Sequence, residues 1–255
     1  MTSIATRFVV TRPAPDHQAL LAALAAKGVA AIHCPAFELE SAPEQSLAQQ
    51  LSRIGEVDLT IVTSPVAARL LARHLDTDQP GVSEVQFVVP GRGTASALEA
   101  VGIAARFPVS GGTSEHILAM PEFDDVSHKR IAVVGAPGGR GLLASELSAR
   151  GADVENMHVY HRRALAPSAA LVDALHHSED LVIFISSLQA FSIILESLPE
   201  ALRPVWLNSR FVVSSARIQR ACRDAGVRRI RCAAGASDEE MLAAVDEDWL
   251  HGHDH

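Results

Sequence analysis

"RIAVVGAPGGRGLLASELSARG", residues 130–151, reads as an apolar strand, a glycine-rich turn and a helix. At an offset of 123 it lies without a gap over "RFVVTRPAPDHQALLAALAAKG", residues 7–28. Leu20 and Leu24 fall on Leu143 and Leu147, and Gly28 on Gly151. Three more blocks repeat in the same order. "DLTIVTS" (58–64) lies over "DLVIFIS" (180–186). "FVVPGRGTASALEAVGI" (87–103) lies without a gap over "FVVSSARIQRACRDAGV" (211–227). Ser114 lies over Ser237, each opening a short helix. A shared strand–turn–helix grammar does not produce one nearly constant offset, so the chain contains two copies of one unit.

Each copy reads strand, helix, strand, strand, helix, strand, helix. The strands are short, β-branched and continuously apolar, as in a parallel sheet covered by helices on both faces. The spacing predicts a helix over 17–27 with Leu20, Leu21 and Leu24 on one face, and a second over 142–150. Gly28 and Gly151 are suited to end them in the left-handed conformation. "SDEE" at 237–240 has the spacing of a capping box. Alternating βα units predict an α/β protein of two similar doubly wound parallel-sheet domains. "HCPAFELES" (33–41) and "MHVYHRRAL" (157–165) hold equivalent places in the copies and are candidate crossover strands. The tail "DEDWLHGHDH" reads as solvated beyond Trp249.

Composition narrows the function. The 255 residues are 48% apolar and 20% charged, enough for packed cores. A formal net charge of −8 disfavours nucleic acid as a partner, which needs a clustered basic surface. No apolar run is long enough to span a membrane, and the start lacks the pattern of a signal peptide. Cys34, Cys222 and Cys232 form no CxxC pair, which suits a reducing cytoplasm.

In parallel α/β sheets, ligands sit beyond the carboxyl ends of the strands. There the sequence places Thr11-Arg12, Thr63-Ser64, Pro90 to Thr94, Gly135 to Gly141, Ser186-Ser187 and Ser214-Ser215. Small hydroxyls, glycines and free amides bind the oxygens of an anion, and six such loops are expected to face one cleft. The same residue types also serve ordinary turns and helix caps. "GGRGLL" lacks the Lys and hydroxyl of a P-loop. Read as a dinucleotide fingerprint, it lacks the acid after the next strand, which ends in Tyr160 and His161. No GxSxG elbow, HExxH or paired-ligand spacing is present. Tyr160 is the only tyrosine, placed between the copies opposite Phe37. It reads either as a half-buried strand aromatic or as a phenol that donates a proton or a hydrogen bond.

"FVVTRP", "IVTS", "GRGTASAL" with "VGI", "GGRGLLASELSARGADV" running into "VYHRR", "VIFISS" and "VVSSARIQRACRDAGV" together resemble the uroporphyrinogen-III synthase family, in order and over nearly the whole chain. The resemblance implies two α/β domains joined by a two-stranded β linker: 1–34 with 166–255, and 37–159, with 33–41 and 157–165 as the linker strands. It implies a monomer that takes hydroxymethylbilane, a linear tetrapyrrole with eight carboxylates, from the synthase that makes it. The hydroxyl leaves as water and the ring closes through a spiro intermediate with the last pyrrole inverted, without cofactor or metal. The product enters haem, sirohaem, cobalamin or chlorophyll synthesis.

Carried over by motif, Tyr160 is the group that assists departure of the hydroxyl. Arg12, Thr94, Ser214 and Ser215 contact substrate, with serines where many relatives have threonine. Ser64, Ser186, Ser187 and the amides of Gly138 and Gly139 complete the expected carboxylate cradle. Pro65 and Pro90 depart from the family's usual residues, and each removes a backbone donor. Loss of hydroxide from the bilane is driven by the pyrrole nitrogen, so the enzyme's main task is orientation of a flexible chain. Two hinged domains suit closure around so large a substrate. The competing expectation is a non-catalytic two-domain binding protein for an anionic small molecule. An NAD-linked oxidoreductase is weakened by the missing acid.

Overall fold

Parallel pairing of strands separated by helices is what continuous apolar strands and amphipathic helices produce when each must bury its apolar surface. The computed structural model describes residues 6–137, 141–177 and 179–251. The first third of the chain forms β1 (Arg7–Val10), α1 (Gln18–Ala26), β2 (Ala30–His33), β3 (Phe37–Ser41), α2 (Glu44–Leu51), β4 (Leu59–Val62) and α3 (Pro65–His74). The middle forms β5 (Gln86–Val88), α4 (Arg92–Glu99), β6 (Ala105–Arg106), α5 (Ser114–Leu118), β7 (Arg130–Gly135), α6 (Gly141–Ala149), β8 (Asp153–His158) and β9 (Tyr160–Ala164). The last third forms α7 (Ala169–His176), β10 (Leu181–Ile185), α8 (Leu188–Ser197), α9 (Arg203–Leu207), β11 (Arg210–Val213), α10 (Ala216–Asp224), β12 (Arg229–Cys232), α11 (Asp238–Ala243) and α12 (Glu247–His251).

Two five-stranded sheets result, with orders β12-β11-β10-β1-β2 and β6-β5-β4-β7-β8, and every strand pair given a register runs parallel. Both are doubly wound: the first sheet has the order 2-1-3-4-5, with its switch point at β1/β10, and the second 3-2-1-4-5, with its switch point at β4/β7. The repeated blocks occupy equivalent strands: β7 stands for β1, β10 for β4 and β11 for β5. Neither sheet is one copy, however. The first takes β1 and β2 from one copy and β10 to β12 from the other, and the second is the complementary mixture.

The chain divides into two compact units, residues 1–39 with 163–255, and 40–162. In the first, successive residues of β1 face opposite layers. Val9 packs with Ile183, Phe211 and Trp206, whereas Phe8 and Val10 pack with Phe184, Leu20, Leu24 and Met241. In the second, Leu59, Ile61, Ile131 and Val133 pack against Leu143 and Leu147 of α6. β3 and β9 form a separate two-stranded ladder. Leu165 N donates to Ala36 O (2.9 Å) and Ala42 N to Val159 O (3.0 Å), so these strands run antiparallel.

Local signals match closely. Gly28 (φ +73°) and Gly151 (φ +90°) end α1 and α6 in the left-handed region. Ser237 and Glu240 form the capping box of α11. Ser114, in contrast, lies inside the first turn of α5, with Thr113 at the cap position.

At Leu250 the structure differs from the solvated reading, and residues 252–255 lie outside the described residues. α12 docks, and Leu250 is buried. Trp249 lies under the guanidinium groups of Arg231 (4.2 Å) and Arg210 (5.6 Å). Arg210, 1% exposed, also donates to Asp180, to Thr6 Oγ1 (3.1 Å) and to the carbonyls of Asp248 and Trp249. A buried cation with so many acceptors is a strong anchor for a short helix.

Candidate functional site

In the unit built on residues 40–162, β4 is followed directly by Thr63-Ser64. Ser64 is the N-cap of α3, its Oγ accepting from Ala67 N at 3.1 Å. Pro65 occupies the first helical position, where a missing N–H removes no intrahelical bond. The same Ser64 Oγ lies 3.2 Å from the Tyr160 hydroxyl at the start of β9. Tyr160 is 3% exposed, and the Arg162 guanidinium sits 5.8 Å from its ring centroid. Of the two readings of this tyrosine, burial is therefore greater than half, and its polar end is held by a second site candidate. Thr94 is buried in the first turn of α4, its N–H donating to Gly91 O at 3.1 Å.

Beside Thr63 is a cavity of about 220 Å³ at the carboxyl ends of β4, β7 and β8. Thr63, Gly135, Gly141, Asn156 and His158 line it. A Cβ on Gly135 would run into Thr63 Oγ1, so glycine is required for this approach. Asn156 and His158 belong to none of the loops that the sequence marks. Their signal was available: they alternate on β8, and residues two apart share one face. Gly138 and Gly139 lie outside the described residues. A larger cavity, about 410 Å³, opens at the amino ends of β7 and β8. Its Arg53 and Glu155 already pair at 2.5 Å, and it is at the end of the sheet opposite to where such folds bind ligands.

In the other unit, Thr11 Oγ1 donates to Phe184 O (2.7 Å), joining the ends of β1 and β10 at the switch point. Arg12 reaches the Asp238 carboxylate and Ala236 O, so its charge is already engaged. His33 Nε2 lies 2.8 Å from Arg12 O, and the His33 and His17 rings stack with centroids 3.8 Å apart. Burial, and then the neighbouring His33, push the His17 imidazole below its ordinary pKa. Ser187 and Ser215 cap α8 and α10 at 3.4 Å each, and Ser214 Oγ donates to Ser186 O at 3.3 Å. Within its unit, each set of candidates thus gathers at strand carboxyl ends. Three of the serines also do the capping work that their type suggested.

Among the described residues, no three His, Cys, Asp or Glu side chains cluster as a metal site, and no helix is long and apolar enough to cross a membrane.

Comparison with known proteins adds to this geometry. The family model described as uroporphyrinogen-III synthase HemD matches residues 18–243. Two curated relatives named uroporphyrinogen-III synthase align over 93% of this chain and 99% of their own length: that of Salmonella typhimurium at 30% identity and that of Escherichia coli at 29%. Among solved structures, a mutant uroporphyrinogen III synthase from Thermus thermophilus has a TM-score of 0.67 at 22% identity, covering 94% of this chain and 96% of that one. The Helicobacter pylori enzyme has a TM-score of 0.59 at 14% identity, covering 93% and 97%. These likenesses support the fold, and the binding-protein alternative gains nothing from any of them.

Proposed function

Because the chain belongs to the uroporphyrinogen-III synthase family, we propose that it cyclises hydroxymethylbilane to uroporphyrinogen III, and that the loops described above hold the substrate's carboxylates while Tyr160 assists the leaving hydroxyl. The observation that carries the reading is the family match across residues 18–243. The site roles are supported by geometry of the expected kind. Hydroxyls and amides collect at the carboxyl ends of both sheets, and the one tyrosine is paired with Ser64 at 3.2 Å.

The chemistry asks little acid strength of the protein. The pyrrole nitrogen pushes out the hydroxyl, which takes a proton and leaves as water. The substituted carbon of the last ring attacks first, and loss of a proton when the macrocycle closes balances the one spent on the leaving group. What the protein must supply is a fixed coil of the bilane, an orientation effect. Neutral donors suit that task, because they fix carboxylates without holding them as tightly as paired charges would. Three free cysteines support a reducing compartment such as the cytoplasm, with the bilane delivered there by its own synthase. The test is to supply hydroxymethylbilane and separate the product isomers. Type III product is expected, and type I alone, the spontaneous isomer, would count against the proposal.

A further inference from the structure

α10 breaks two local rules of helix stability. Arg217, Arg220 and Arg223 lie on its exposed face, opposite the buried Ile218 and Cys222. Side chains three apart on a helix are neighbours, so the three like charges repel. Arg217 is the second residue after the Ser215 cap, where the helix dipole disfavours a cation. Among the described residues, none of the three is joined to a carboxylate that would offset this. The fold does not demand them either. The gap-free repeat places Gly93, Ser96 and Glu99 of α4 at the same three positions, and that segment is also helical. Arg223, in the last turn, suits the helix dipole, but the cost at Arg217 and Arg220 has no such return, and a local cost of that kind marks a functional surface.

We propose that this arginine face is an electrostatic capture track for the polycarboxylate substrate, leading it toward the Ser214–Ser215 loop from which α10 springs. The inference rests on the functional reading above. A substrate with eight carboxylates approaching a chain of net charge −8 meets long-range repulsion. A local positive strip overcomes this where it matters, because within a Debye length, about 10 Å at 0.1 M salt, the nearest charges dominate. Arg217 is the arginine nearest the loop in sequence. Arg220 and Arg223 extend the strip along the helix, away from the loop.

The test is kcat/KM for hydroxymethylbilane as a function of ionic strength. It compares the unaltered chain, the double variant R217Q/R220Q, and the charge-matched control K27Q/R228Q. Lys27 and Arg228 are exposed at the opposite, amino end of the same sheet. Steering of this kind changes association at least about tenfold. R217Q/R220Q is therefore expected to lose about tenfold in kcat/KM at low salt with kcat unchanged, to converge with the unaltered chain at high salt, and to fold at least as stably. The control is expected to follow the unaltered chain. Three results would overturn the proposal: no loss, a loss that persists at high salt, or an equal loss in both double variants. Type I product alone from the unaltered chain at every ionic strength would instead remove the functional reading, and the capture track with it.

Discussion

Replacing Tyr160 by Phe removes one oxygen and leaves the ring in place. Tyr160 is 3% exposed, so the aromatic packing that holds β9 is retained. The lost bond is the 3.2 Å contact with Ser64 Oγ. Ser64 is not orphaned, because it still accepts from Ala67 N at 3.1 Å. A net loss of about 1 kcal/mol of stability is therefore expected, at the ordinary level for one hydrogen bond whose partner keeps another. For a chain of this size, that lowers Tm by about 2–4 °C. Turnover is expected to fall further, by about tenfold or more, since a positioned proton donor contributes roughly 10²–10⁴. The assay is a quenched time course on fresh hydroxymethylbilane, with separation of type I and type III isomers, because slowed enzyme lets the spontaneous type I product accumulate. A lowered Tm with unchanged type III turnover would refute the role of the phenol in catalysis and leave it as a strap on Ser64.

Replacing Arg210 by Leu removes a buried cation from Asp180, Thr6 and the α12 carbonyls; about 3–5 kcal/mol of stability should be lost, measured by urea unfolding. A loss under 1 kcal/mol would mean that α12 is held by Leu250 and Trp249 alone. His17 has a pKa below its unfolded value, so the unfolded chain binds more protons between the two values. Stability should consequently fall as pH drops below about 6.5, and His17→Gln should flatten that slope while leaving pH 8 little changed; equal slopes in both proteins would contradict it. Cys222 is pushed up to about 12 and Cys34 is also raised, both by burial, whereas Cys232 is exposed. Iodoacetamide at pH 8 should add one group to the native chain, and three would show that the interior opens readily.

The sheets were legible because their central strands, β1, β4, β7, β10 and β11, are almost wholly buried and the copies share caps at Gly28 and Gly151. What each sheet would contain was not legible from periodicity alone, since pairing β1 with β10 rather than β4 is decided by contacts distant in sequence. The same limit hid the Ser64–Tyr160 bond: each residue was singled out, but their meeting depends on how the loop after β4 faces β9. Asn156 and His158 belong to no motif at the strand's end, and only the alternation of β8 shows that they line one face. The burial of Leu250 is not legible because "DWLH" is too short to show a helical period, and the anchor of α12, Arg210, lies in another strand.

The mixture of copies within each sheet also sets an order of assembly. The unit 40–162 is continuous, and its strands can pair as soon as that stretch of chain exists. β1, in contrast, has a switch-point partner 173 residues away, at the Thr11–Phe184 bond. Closing so long a free loop costs entropy that grows with its length. Once the continuous unit has folded, Ala42 and Val159 are hydrogen-bonded at 3.0 Å. The two arms of the remaining unit then leave from one place, and the loop between them is already closed. The inserted unit thus acts as a staple for the discontinuous one. Damage to its core should show up first as a failure of β1 and β10 to find each other.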